Sequence, residues 1–245
     1  MLELKDVTYT VRENGEDINI IDHLNLTIGD GRFVVITGPN GGGKSTLAKI
    51  IMGVNPVNGG RIYLDGQDIT YLSITDRAKA GISFAFQKPV VFKGIRVVDI
   101  LKIASGRRIS ISEACEYLSK VGLCAKDYIN RELNDSLSGC ELKRIEIATV
   151  LARGTRFSIF DEPEAGIDLW SFGNLIQVFE NIRNTVDGTV LIISHQERIL
   201  NIADEIVVIE DGKVAKQGKR DDILPELIGT ASAMNNACSI LTKEA

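Results

Sequence analysis

The chain has 245 residues, 44% of them hydrophobic, with 28 basic and 33 acidic side chains and a formal charge of -5. That composition is ordinary for a globular protein and excludes a disordered chain, a collagen-like repeat and a coiled-coil rod. There is no basic stripe for nucleic acid, and no apolar run exceeds four residues, against the roughly 20 that cross a bilayer.

The first residues, Met1 to Asp6, lack the charged lead and apolar stretch of a signal peptide. Cys115, Cys124, Cys140 and Cys238 form no CxxC pair and read as reduced thiols in a cytoplasmic protein. No direct membrane insertion and no nucleic-acid partner are expected.

In chain order, residues 2–11 alternate imperfectly around Asp6 and suggest an edge strand. Residues 18–28 and 61–69 read as further strands, with Asp65-Gly66 as a turn signal. Residues 33–36, 157–160, 190–193 and 206–209 are short apolar runs, the pattern of strands buried on both faces of a parallel sheet. Between them, Leu47, Ile50, Ile51 and Val54 share one helical face, as do Phe172, Leu175, Ile176, Phe179, Ile182 and Val186. Strands alternating with helices predict an α/β fold. Residues 88–155 break the rhythm, with helices expected near 97–104, 112–121 and 139–153. The small and polar stretch 229–245 reads as a tail that frays. Trp170 and Phe172 read as packing residues.

Three segments carry chemistry. Gly38-Pro39-Asn40-Gly41-Gly42-Gly43-Lys44-Ser45 matches G-x-x-x-x-G-K-[ST] between a strand and a helix. Glycines there let backbone N–H groups surround phosphate oxygens, and the helix start favours an anion. Lys44 would reach the outer phosphates, the Ser45 hydroxyl would ligate Mg²⁺, and Thr46 would add a hydroxyl near the α-phosphate. The strand 157–160 ends in Asp161 and Glu162, at the strand end where ligands bind in open α/β sheets. Asp161 would orient Mg²⁺ and Glu162 would polarise the attacking water. The third segment, Leu137-Ser138-Gly139-Cys140-Glu141, opens a helix with capping-box spacing between Ser138 and Glu141. It reads as a capped helix start and also as a second phosphate site that a partner copy would use.

Together these residues resemble the ATP-binding-cassette (ABC) ATPases. Gly38–Ser45 resembles the family's Walker A, Phe157–Asp161 with Glu162 its Walker B and catalytic glutamate, and Leu137–Glu141 its LSGGQ signature. The resemblance implies a P-loop NTPase fold of ABC type, with a mostly parallel core sheet, an antiparallel β part and an inserted helical lobe. It implies one domain over 1–245: 1–87 and 156–228 as the core, 88–155 as the lobe and 229–245 as the tail. Gln87 would be the glutamine that touches Mg²⁺ and the water, Asp168 a residue at a dimer seam, and His195 the switch histidine. Tyr9 is the candidate for stacking on adenine. ATP and Mg²⁺ are the implied ligands, ATP hydrolysis the implied activity, and a head-to-tail ATP-dependent dimer the implied assembly of the chain with itself.

A narrower resemblance is to the Suf-type ATPase of iron–sulfur cluster assembly. It rests on Leu72-Ser73-x-x-Asp76-Arg77-Ala78-x-x-Gly81-Ile82, on Ala85-Phe86-Gln87-x-Pro89-Val90, on Glu141-x-Lys143-Arg144, on Glu164 before Ala165-Gly166-Ile167-Asp168, and on His195-x-x-Arg198-Ile199-Leu200. It implies a soluble β-rich scaffold as partner, docked near Gln87–Ile95. The alternative is the nucleotide-binding subunit of a membrane transporter. Two departures stand out. Cys140 replaces the second signature glycine, where any left-handed backbone would be strained, and Pro163 follows Glu162 as in transport ATPases.

Overall fold

The computed structural model describes residues 1–185 and 187–229. The expected tail therefore lies outside the described residues from 230 onward, as do Val186 and Cys238.

Two sheets form the frame. β1 (Leu2–Glu13), β2 (Glu16–Ile28), β4 (Gly59–Leu64) and β5 (Gln67–Asp68) make an antiparallel sheet in the order β2-β1-β4-β5. β1 is thus an inner strand, not the edge strand that its broken alternation suggested. The break is a bulge: Asp6 has φ 54° and the pairing with β2 shifts between Leu4 and Val7. The second sheet contains β3 (Phe33–Thr37), β6 (Ile82–Ala85), β7 (Phe157–Asp161), β8 (Thr189–Ile193), β9 (Glu205–Glu210) and β10 (Lys213–Lys219). Its order is β10-β9-β3-β8-β7-β6, parallel except for the antiparallel edge strand β10.

All five residues of β3, β7 and β8 are buried, because both faces of the sheet are covered. Val34 and Ile36 face one core with Leu47, Ile50 and the antiparallel sheet. Phe33 and Val35 face the other, with Phe160, Phe179 and the helices of the middle segment. Phe179 stacks edge-to-face on Phe160 at 5.3 Å and on Phe33 at 6.4 Å, joining helix to sheet.

The helices are α1 (Lys44–Met52), α2 (Ile74–Lys79), α3 (Val97–Ser105), α4 (Ile111–Lys120), α5 (Ala125–Tyr128), α6 (Gly139–Arg153), α7 (Leu169–Thr185) and α8 (Glu197–Leu200), with further helix at 220–229. α3 to α6 pack as one group, α6 against both α3 and α4, so the middle segment is helical as its pattern predicts. Among the described residues no helix is long and apolar enough to cross a membrane.

One buried cation ties two elements together. Arg77 on α2 is 2% exposed and donates to Ile50 O (2.6 Å), Ile51 O (2.8 Å), Thr70 O (2.6 Å) and Leu72 O (3.2 Å). It closes the C-terminal end of α1, whose partial negative charge suits a guanidinium. Arg77→Met should lower the unfolding free energy by about 3 kcal/mol, since buried carbonyls lose their donors. Urea denaturation measures it; a loss below about 1 kcal/mol would mean that water satisfies them instead.

Candidate functional site

The loop after β3 wraps around itself before α1. Gly38, Gly41 and Gly43 have φ of 134°, 81° and 96°. A Cβ on Gly38 would meet Ile209 O at 2.1 Å, and one on Gly43 would meet Ile20 O at 2.7 Å. Glycine is therefore required twice over at 38 and 43, by backbone angle and by close approach of neighbouring strands. Pro39 O accepts from Gly42 N at 3.2 Å, which tightens the turn through Asn40.

Lys44 is buried, and its Nζ donates to Gly38 O at 2.8 Å and Pro39 O at 2.7 Å. Burial holds its pKa below the ordinary lysine value, countered by the nearby charges of Glu162 and Asp161. Ser45 Oγ donates to Asp161 Oδ1 at 2.9 Å, joining the first turn of α1 to the end of β7. Burial pushes the Asp161 carboxyl up, and that single hydroxyl offsets it only in part. A buried carboxylate beside a hydroxyl, at the foot of an anion cradle, fits a divalent cation bound by one carboxylate, a hydroxyl and phosphate oxygens.

Glu162 leaves β7 in a left-handed conformation, φ 43°, with its N–H on Ile193 O at 3.0 Å. That turn separates its direction from that of Asp161, and Gln87 Nε2 donates to Glu162 Oε2. A cavity of about 280 Å³ is lined by Ile20, Asn40, Gly41, Gly43, Lys44, Ser45, Thr46 and Glu162. Beside it, Ser45, Asp161, Gln87 and Phe86 border a second hollow, and Gly38, Pro39 and His195 a third. The fold thus gathers Gly38 to Thr46, Asp161, Glu162, Gln87 and His195 around one cradle.

Five expected residues lie elsewhere. Ser138, Gly139 and Cys140 start α6 and line none of these three hollows. Ser138 caps α6, accepting from Glu141 N at 3.3 Å, and Glu141 accepts in turn from Ser138 N at 2.6 Å. Cys140 sits within helical backbone, and neither it nor Gly139 has a positive φ. The strain expected from replacing a glycine there is absent. Asp168 caps α7 instead of lining the cradle, accepting from Trp170 N and Ser171 N at 3.0 Å. Its bonds from Ser171, side chain first, hold its pKa below the ordinary value. Trp170 is 90% exposed, so the expectation that it packs does not hold.

Tyr9 is half-buried against the core and lines none of the three hollows. It pairs across the sheet with buried Ile21, whereas the neighbouring Ile20 borders the cradle. Nothing in the sequence marked Ile20, one isoleucine of a pair in an apolar strand.

The ABC transporter family profile matches residues 21–165, more than half of the chain. The chain belongs to the ABC transporter family. An ABC transporter ATP-binding protein of Methanocaldococcus jannaschii is 35% identical over 232 residues, 91% of this chain and 90% of that one. The lipopolysaccharide export ATP-binding protein LptB of Escherichia coli is 30% identical, covering 84% of this chain and 87% of its own. Among solved structures, a dimeric ATP-binding cassette in a post-hydrolysis state, bound to ADP and phosphate, is similar with a TM-score of 0.79. It shares 26% identity and covers 90% of this chain and 99% of its own. As an ABC cassette the chain is an ATPase that takes ATP and Mg²⁺.

The two loop glycines give a graded test of the ABC cradle. Gly38→Ala should cost about 3 kcal/mol of stability and abolish ATP binding. Gly41→Ala, whose Cβ meets nothing within 4 Å, should cost only about 1 kcal/mol for its left-handed φ. Urea denaturation and nucleotide titration give the order; equal losses at the two positions would contradict the cradle geometry.

Proposed function

We propose that this ABC ATPase works as a pair of chains and drives conformational change in a soluble scaffold for iron–sulfur cluster assembly. The observation that carries the pairing is the separation within one chain between the cradle and the capped start of α6. In the head-to-tail reading, Ser138, Gly139 and Cys140 of each copy offer a helix N-terminus to the γ-phosphate on the other. Asp168 lies at the seam. The similarity to a dimeric cassette bound to ADP and phosphate supports this reading.

The chain's own groups then have distinct tasks. Backbone amides of the loop surround the phosphates, and Lys44 exchanges its two carbonyl partners for phosphate oxygens. Ser45 and Asp161, aided by Gln87, would hold Mg²⁺, which would neutralise charge that builds on the phosphate oxygens. Glu162 takes a proton from the attacking water as the water's oxygen bonds to the γ-phosphorus and the bridging oxygen leaves with ADP. Gln87 and His195, which follow β6 and β8 on either side of β7, position that water and the γ-phosphate. Tyr9 is the proposed adenine neighbour from the sequence, with Ile20 closer to the cradle.

The scaffold reading rests on four local fragments, among them the segment from Leu72 to Val90 and Glu141-x-Lys143-Arg144. The surface that would receive it is an apolar groove of about 310 Å³ beside Gln87, lined by Phe84, Phe86, Val90, Phe92, Ile100 and Leu142 among others. The second reading, an ATP-binding subunit of a membrane transporter, is favoured by Pro163 after Glu162 and by relatives named as transport proteins.

Two measurements test these assignments. Glu162→Gln should lower turnover about a hundredfold or more while nucleotide affinity stays within about twofold; unchanged turnover removes Glu162 from its role. Co-purification from native extract with identification of the bound chain separates the partners. A soluble β-rich chain supports the scaffold reading, and an integral membrane chain overturns it.

A further inference from the structure

Phe86 stands between the last residue of β6 and Gln87, and both of its backbone polar groups are held by side chains of α6. Lys143 Nζ donates to Phe86 O at 2.6 Å, and Phe86 N donates to Glu146 Oε1 at 3.0 Å. The two side chains are 3% and 14% exposed and lie 3.7 Å apart, one turn apart on α6. Burial lowers the Lys143 pKa and raises that of Glu146, each partly offset by the other. Glu146 Oε2 has no hydrogen-bond partner. Apolar residues of similar size would commonly serve stability as well as such a pair. What apolar residues cannot do is fix the orientation of the two peptides on either side of Phe86, one through its N–H and one through its carbonyl.

We propose that Lys143 and Glu146 are positioning residues for Gln87, clamping the two peptides that flank Phe86 so that the glutamine amide reaches Glu162. α6 is capped by Ser138, so the helix whose start is offered to the partner's nucleotide holds its own chain's glutamine one to two turns later. The ring of Phe86 meanwhile borders the apolar groove and stacks edge-to-face on Phe84 at 4.7 Å. One clamped residue therefore touches the groove, the signature helix and the water-positioning glutamine. The inference rests on the proposed role of Gln87 and adds the two residues that control it.

A double-mutant cycle on the full-length chain tests it, with kcat, KM for ATP and nucleotide affinity as readouts. Lys143→Met should lower kcat between about ten- and a hundredfold with KM and affinity unchanged. In a Gln87→Ala background it should have no further effect on kcat, and Lys143→Arg should recover most of the loss. Should Lys143→Met fail to fold, Glu146→Ala completes the same cycle. Additive losses, or a loss in nucleotide affinity equal to that in kcat, overturn the clamp while leaving Gln87 its role. Normal turnover in Gln87→Ala alone overturns the role of Gln87 and the clamp with it.

Discussion

A buried ammonium whose hydrogen bonds go to backbone carbonyls organises this molecule. Lys44 is held by two carbonyls of its own loop, and the loop in turn is held by Gly38 lying against the backbone of Ile209. The cradle is thereby shaped before any phosphate arrives, and little ordering remains for binding to do. The opposing charges, Asp161 and Glu162, sit at the end of a strand whose five residues are all buried, so they cannot drift. The parallel core positions charges of both signs at strand ends, and the ligand completes the balance.

That arrangement explains which features were legible in the sequence. β3, β7, β8 and β9 were readable because burial on both faces demands short, continuous apolar runs. The cradle was readable because close backbone approach admits only glycine. β10 escaped notice because Lys213–Lys219 is an exposed edge strand with three lysines and no alternation, a composition that discourages further pairing. β6 is four residues long and contains Ser83, whose hydroxyl bonds with Thr155 and Ser158 mark it as buried only in the folded chain. β1 looked like an edge because its bulge at Asp6 breaks the alternation of a strand paired on both sides.

The site was legible by motif and less so by geometry. Register among motifs located Gln87 and His195, each of which would be unremarkable alone. It could not reveal that Glu162 adopts a left-handed turn, that Ile20 rather than Tyr9 borders the cradle, or that Cys140 lies in unstrained helix. Nor could it show that Lys143 and Glu146 turn inward. Charged residues on a helix usually face water, and only the contact with Phe86 gives these two a reason to be buried.

The division of labour follows from the fold. One chain contains the phosphate cradle, the bonded pair Ser45 and Asp161, and Glu162 with its glutamine. The capped start of α6 lines none of the hollows around that cradle, and in the proposed reading a second chain supplies it. The most direct test is specific ATPase activity against chain concentration at saturating ATP–Mg²⁺, with the oligomeric state followed by sedimentation. Activity per chain should fall in proportion as the chain is diluted below dimerisation. Activity per chain that stays constant where sedimentation finds only monomer would contradict a shared pocket.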